Sequence, residues 1–459
     1  MGDAAAEQKD LTSVGEKASY GLYFVGQNIF YFLIVMFLVP FFTDVGIPAI
    51  TVAGLALVVK VWDAVNDPIF GGIVDKVKFK KGKFLPWLRI SLIFIPLSTV
   101  AIFAIPTGIS ISLKVAWAAI AYILWDTSYT ICDVPVYGIV TTMTDRLHER
   151  TTLMAIARIA AGVGSLAVTV TVPMIRSLIG GWLPLVATLS GIALLTMCPL
   201  CFKAKERIEV RNRSEDISVK DMFRFLKGNK YMLIYWTAFI LARTFDVGYV
   251  LNMYFARYNL GDEKLLGTIS MITALPSLIA AVLVPFICKR VDKFKLFFWS
   301  TLGSIVFAVA SYFAGYGSFT VVVIFAALRG IPYGLLGVLM FMFTPDCVEY
   351  GTYKTGVPAS GIAFSLQTFS QKLLAALSAA VGATALSVIG FIEGEGAVQA
   401  AGFADKLFFV YMLFPAIGSL IALPLLSRYK LTDKKVGIMI KANNGEITRG
   451  EAEKLLGDI

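Results

Sequence analysis

The sequence predicts an all-α membrane protein of twelve transmembrane helices in two six-helix bundles. Three observations carry that prediction. Hydrophobic residues make up 57% of the chain and charged residues 16%, with a mean hydropathy of +0.76, whereas a soluble protein of this size needs more charge to cover its surface. The apolar residues gather in twelve runs, near 19–43, 50–74, 85–106, 111–142, 151–175, 181–202, 231–257, 265–288, 296–315, 319–345, 358–391 and 406–427; a helix needs roughly 20 such residues to cross the hydrocarbon core. The longest polar break, 203–230, divides the runs six and six, as in many transporters with alternating access.

The elements follow in order as a polar tail (1–18), a first six-helix bundle (19–202), a linker (203–230), a second bundle (231–428) and a charged tail (429–459). The opening MGDAAAEQKDLTSVGEKA has no apolar core or cleavage site, so no removable signal peptide is expected and the first run serves as an uncleaved membrane signal. In the linker, DISVKDMFRFLKG reads as an amphipathic helix lying along the inner membrane face. The final tail reads as a cytoplasmic, regulatory extension ending in a short helix. The halves share faint internal similarity: GIVTTMTDRLHERT (138–151) resembles MFMFTPDCVEYGTY (340–353), and runs five and eleven each carry one cation, Arg158 and Lys372.

The net charge of +10 does not indicate nucleic acid, because Lys and Arg crowd alternate loops: DKVKFKKGKF (75–84), DRLHER (145–150), 203–230, CKRVDKFK (288–295) and the tail after 427. Basic loops stay cytoplasmic, so both termini are expected inside, in a cell (inner) membrane. The only His, His148, lies in one of these loops, and no GxSxG, phosphate-binding loop or Cys/His pairing is present. An enzyme is not expected. Cys198 and Cys201 form a CxxC with no second pair and no nearby His, which reads as ordinary packing.

The informative feature is a population of charges inside the runs: Lys60, Asp63, Asp67, Asp126, Asp133, Arg158, Arg243, Asp246, Arg329 and Lys372. A charge at mid-membrane costs several kcal/mol and needs a partner or a wet cavity. Such a cavity is the economical expectation. In KVWDAVNDPIFGG (60–72), Asp63 and Asp67 are four apart and stack on one helix face. Two carboxylates that close repel, and a proton or a hard cation relieves them. Asn66 offers a further oxygen beside the pair. The competing reading is plain neutralisation by Lys60 or by another helix, although Lys60 alone would leave one acid unmatched.

Asp133 sits in SYTICDVPVYG (128–138) with Tyr129, Thr130 and Tyr137, and Arg158 follows on the next run. A carboxylate, a guanidinium and aromatic rings suit a polyhydroxylated substrate, because hydroxyls need acceptors and donors while C–H faces stack on rings. The alternative is a structural Asp133–Arg158 bridge. Arg243 and Asp246, three apart, read as a local pair. Arg329, before Gly330-Ile331-Pro332, is expected at a helix break lining an outer cavity.

At these residues the chain resembles the glycoside–pentoside–hexuronide:cation symporters, the melibiose permease-like branch of the major facilitator superfamily. The most specific piece is WDAVNDPIFGGIVDKVKFKKGKFLPW (62–87), and the resemblance covers all twelve runs. It implies the major facilitator fold and a sugar (glycoside, pentoside or hexuronide):cation symporter, driven by a Na+ or H+ gradient, with no cofactor beyond that coupling ion. By position it implies Asp63 and Asp67 as the cation (Na+ candidate) site, with Asn66 and Thr130 beside them. It implies Asn28, Asp133, Tyr129, Tyr137 and Arg158 at the sugar, with Lys372, Gln367 and Thr368 on run eleven between the two sites. The loop holding Gly82 and Lys83, near Asp75, is expected to latch the cytoplasmic side. Asn28 replaces a carboxylate used for galactosides and Phe24 stands where many relatives carry Asp, which turns the expectation toward an anionic sugar. A monomer surrounded by lipid is expected. Two rival readings are a lysolipid or amphiphile carrier of the same fold and a non-transporting sensor.

Overall fold

The computed structural model describes residues 10–77, 79, 82–208, 227–356 and 360–457. The described residues are almost wholly helical, with one isolated bridge between Phe79 and Gly82. They fall into two compact units, Met1–Arg213 with Ile392–Val398, and Ser214–Phe391 with Gln399–Ile459.

The first unit contains α1 (Val14–Asp44), α2 (Ala49–Lys76), α3 (Leu85–Phe103), α4 (Ile111–Met143), α5 (Leu147–Ile179) and α6 (Trp182–Lys203). Helices are the natural answer for apolar runs of this length, because each backbone N–H and C=O is satisfied within its own segment. Their ends are marked by local chemistry. Ser13 accepts from the Glu16 amide while the Glu16 carboxylate accepts from the Ser13 amide, a capping box that starts α1. Gly180, at φ +92°, closes α5 in the left-handed region that glycine enters without steric cost.

The second unit contains α7 (Lys230–Thr244), α8 (Gly248–Tyr254) running into a π-turn at Phe255–Asn259, α9 (Leu265–Ile287), α10 (Lys293–Ala314), α11 (Phe319–Thr355), α12 (Ser360–Val388) and α13 (Phe403–Leu426). Its aromatic core is built from Tyr231, Tyr235, Trp236, Phe297, Phe343 and Tyr429, all buried.

Ten described helices are long and apolar enough to cross a membrane. The two remaining runs differ for identifiable reasons. α4 has the length, with 33 residues, but carries Lys114, Asp126 and Asp133 along it. The seventh run is not one helix: it breaks at Phe245-Asp246-Val247, between α7 and α8. The reverse correction applies at Gly330-Ile331-Pro332, where the expected break is absent and α11 runs on for 37 residues with Pro332 and Pro345 inside it.

Within each unit, glycines set how closely helices approach. A Cβ on Gly26 of α1 would stand 2.5 Å from the Ala193 carbonyl oxygen of α6, and one on Gly334 of α11 would stand 2.0 Å from the Ser277 carbonyl oxygen of α9. Small residues at such crossings let backbones meet where no hydrophobic force separates helix from lipid.

The C-terminal tail forms two helices, α14 (Asp433–Asn443) and α15 (Arg449–Leu456), rather than a single short one. It is docked on the second unit. Val436, Met439, Ala452 and Leu456 are buried in the unit's core cluster, Lys293 bridges Asp346 and Asp433 at 2.7 and 3.2 Å, and Asn443 donates to the Glu349 carboxylate at 2.8 Å. Of the linker stretch read as an amphipathic helix, 216–228, residues 216–226 lie outside the described residues.

Gly334→Val is expected to destabilise the second unit by about 1–3 kcal/mol through overpacking, whereas Gly303→Ala in α10 of the same unit, whose Cβ would meet nothing within 4 Å, leaves it unchanged. Thermal melting of the purified variants in detergent checks both.

Candidate cation and substrate site

The seam between α2 and α4 carries the first cluster. Lys60 forms an ion pair with Asp63, one turn along α2. Asp63 and Asn66 are buried. Further along, α2 is tied to α4 by a ladder of polar contacts. The Trp62 indole N–H donates to Thr127 Oγ1 at 2.9 Å, and Asn66 Nδ2 donates to Thr130 Oγ1 at 2.9 Å. The Thr130 hydroxyl is also 3.0 Å from Asp67 Oδ1 and 3.2 Å from the Asp126 carbonyl oxygen. Its single proton serves one acceptor at a time.

The two acids of the opening motif therefore differ in company. Asp63 has the Lys60 ammonium; Asp67 has the Thr130 hydroxyl. Asp67 Oδ1, the Thr130 hydroxyl and the Asn66 amide lie together on the seam, with the buried Asp63 one turn away on α2; oxygens of this hard kind are what alkali and alkaline-earth cations accept.

The second cluster lies on α1, α4 and α5. Asp133 accepts a hydrogen bond from Gln27 Nε2 at 2.8 Å. Tyr129 stacks on Trp125 with ring centroids 5.1 Å apart, and Tyr31 stands 5.6 Å from it. Tyr137 meets Phe24 edge-on at 5.3 Å and lies within electrostatic reach of both Asp133 and Arg158. Asp133, Tyr129, Tyr137 and Arg158 thus collect around one aromatic wall. Asn28, on α1, directs its amide N–H to the Phe24 carbonyl of its own helix at 2.8 Å.

Gln27 is the residue that sequence reasoning passed over. It is 1% exposed, and its Oε1 has no hydrogen-bond partner among the described residues. It and Asn28 are adjacent in YFVGQN, about 100° apart around a helix, and only the packing of α1 on its neighbours says which amide meets Asp133. Tyr31 and Trp125 were likewise missed as members of the site.

Gln367, Thr368 and Lys372 lie on α12 of the second unit, with Gln367 and Lys372 half-buried and Thr368 exposed. In the expected latch, Gly82 adopts φ +107°, and the Glu206 carboxylate accepts from the amides of Lys83, Phe84 and Leu85 at 2.8, 2.9 and 2.7 Å. A Cβ on Gly82 would stand 2.6 Å from that carboxylate. Glu206 was not among the expected residues. The Asp75 side chain lies outside the described residues.

The sequence matches the family model described as MFS/sugar transport protein over residues 19–433. Among curated proteins, the chain is 28% identical to the isoprimeverose transporter of Lactiplantibacillus pentosus, covering 90% of this chain and 88% of the relative. It is 27% identical to the glucuronide carrier protein homolog of Escherichia coli, covering 96% and 97%. Among solved structures it is similar to the nucleoside transporter NupG (TM-score 0.63, 15% identity, 91% of this chain and 100% of that one). It is also similar to a bacterial homolog of the human lysosomal transporter Spinster (TM-score 0.61, 12% identity, 94% and 96%). At such identities these two structures speak for the fold alone.

Thr130→Val keeps the volume and removes the hydroxyl that joins Asn66 to Asp67. Removing the acceptor of the buried Asn66 amide and a donor to Asp67 is expected to cost about 1–3 kcal/mol, while Thr130→Ser retains most of the stability; unfolding midpoints of the two variants, measured side by side, test the ladder.

Proposed function

The chain belongs to the MFS/sugar transport protein family, in the glycoside–pentoside–hexuronide symporter branch of the major facilitator superfamily, and we propose that it couples sugar movement to a monovalent cation, Na+ or H+, bound between α2 and α4. A multi-pass transporter, not an enzyme, is what this family and fold describe. The observation that supports the coupling is Asp67 and Asn66 joined through Thr130 on one seam, with the buried Asp63 one turn away on the same helix. An arriving cation neutralises carboxylates that would otherwise repel in an apolar surround, and so draws α2 and α4 together.

The sugar site is Asp133, Tyr129, Tyr137 and Arg158, with Gln27 as a positioning residue that holds the Asp133 carboxylate. Asn28 of α1 belongs to it, and Gln367, Thr368 and Lys372 of α12 are proposed as further substrate-binding residues. Hydroxyls of the substrate are received by Asp133 and donated to by Arg158, while its C–H face lies on the aromatic wall. α4 carries Thr130 and Asp133 three residues apart, so a shift in one helix is felt at both sites. Coupling of this kind is reciprocal and typically worth about 1–3 kcal/mol. The two ligands are released together as the protein alternates access. The Gly82–Lys83 turn held by Glu206 is the cytoplasmic latch. We place both termini in the cytoplasm, in a cell (inner) membrane, with the chain acting as a monomer.

Asp67→Asn and Asp63→Asn are each expected to lower gradient-driven uptake in proteoliposomes at least ten-fold while the protein still inserts. Both variants accumulating sugar at the wild-type rate would remove the cation from this seam.

A further inference from the structure

The second unit contains a cavity of about 70 Å³ that no residue of the proposed cation and sugar sites lines. It is walled by α7, α10, α11 and α13, and the lining is mostly apolar. Three charged side chains face it: Arg243, Asp246 and Arg329. Two guanidiniums therefore meet one carboxylate, which leaves an excess positive charge inside a membrane-spanning bundle. Intramembrane charges are costly and mark functional sites by default.

The two arginines are answered very differently. Arg243 Nη1 is 2.6 Å from Asp246 Oδ2, a close pair across the break between α7 and α8. The break is held from α12, where the Ser378 hydroxyl donates to the Asp246 carbonyl oxygen. Arg329 is left with weaker company. Its Nη1 donates to the Met412 sulfur at 2.9 Å, the Tyr333 side chain is within hydrogen-bond reach, and its guanidinium lies 6.0 Å from the Tyr333 ring and 5.8 Å from the Tyr411 ring. The Tyr411 hydroxyl is already directed to Asn252 Oδ1 at 2.6 Å. A thioether is a weak acceptor, and a guanidinium offers five N–H donors. Asp246 acts on Arg329 as well as on Arg243, so one acid is shared between two cations.

We propose that this cavity is an oxyanion site, which takes a carboxylate or sulfonate against Arg329, with the Arg243–Asp246 pair as its back wall. The planar guanidinium fork matches such groups bidentately. Thr301 and Ser304 of α10 direct their hydroxyl protons to carbonyls of their own helix, so the charged donors offered to an anion are the guanidiniums, with the Tyr333 and Ser419 hydroxyls beside them. A cavity of about 70 Å³ holds an acid group and water, not a whole sugar ring. A discontinuous helix beside it follows the pattern by which membrane transporters build ion and ligand sites. The same acid group can come from an acidic sugar or from a free small organic acid.

The test is calorimetric titration of the purified full-length protein in lipid nanodiscs, at constant ionic strength, with glucuronate, glucose and acetate. Glucuronate is expected to bind at least ten-fold tighter than glucose, about 1.4 kcal/mol. Arg329→Gln is expected to erase that preference, and Asp246→Asn, which makes the cavity more positive, to keep or enlarge it. Variant effects of opposite sign are what a merely structural charge cluster would not give. Acetate competing with glucuronate assigns the site to free small acids; acetate without effect assigns it to an acid carried on the sugar. Equal wild-type affinities for glucuronate and glucose, or a preference that survives Arg329→Gln, overturn the proposal. The wild-type comparison needs no variant to fold, and a protein that takes up neutral sugar down a cation gradient yet fails it would lose this site alone.

Discussion

An ionised side chain inside a bundle of apolar helices has to be answered by another group, and the polar architecture of this protein follows from that constraint. Lys60 answers Asp63, Thr130 answers Asp67, Gln27 answers Asp133, and Arg243 answers Asp246. Several of these partners sit on a neighbouring helix. A contact that satisfies a buried polar group is then also a tie between two helices, and binding at such a group must shift the tie. That is the physical link between holding a ligand and moving the bundle.

The same logic governs the ends of the helices, with carboxylates as the recurring device. Glu206 gathers three successive amides where α3 begins. Glu149, at the start of α5, accepts from the amides of Leu11 and Thr12 at 2.6 and 3.3 Å. Glu16 caps α1 and also receives the Arg207 guanidinium at 2.9 Å. An anion at a helix N-terminus meets the unsatisfied N–H groups and the positive end of the helix dipole. Each of these acids pins a connecting segment to a specific helix end, so the loops of the first unit are held by a few side chains and not by their own length.

Much of this was legible in the chain. Hydropathy marked the spanning segments, the spacing of Asp63 and Asp67 placed both on one face, and the sequence around them identified the family. The limits are equally specific. Run seven reads as one apolar stretch because Phe245 and Val247 flank Asp246, and the break there depends on what α12 offers to the backbone. Run ten contains Gly330 and Pro332 yet stays helical, because Gly330 and Gly334 pack directly on the α9 backbone. The tail after 427 reads as a polar extension, while its few apolar residues, such as Val436 and Met439, are enough to dock it.

The sequence by itself determined the class, the spans and the residue types that carry charge into them, because transfer from water to hydrocarbon is a property of each residue and of its neighbours along the chain. Only the tertiary structure decided the partners: that Gln27 and not Asn28 meets Asp133, that Glu206 holds the Gly82 turn, and that Arg329 rests on a sulfur and two rings. Hydrogen bonds and ion pairs act over a few ångströms between residues such as Gln27 and Asp133 that are far apart along the chain, and that proximity exists only once the helices have packed.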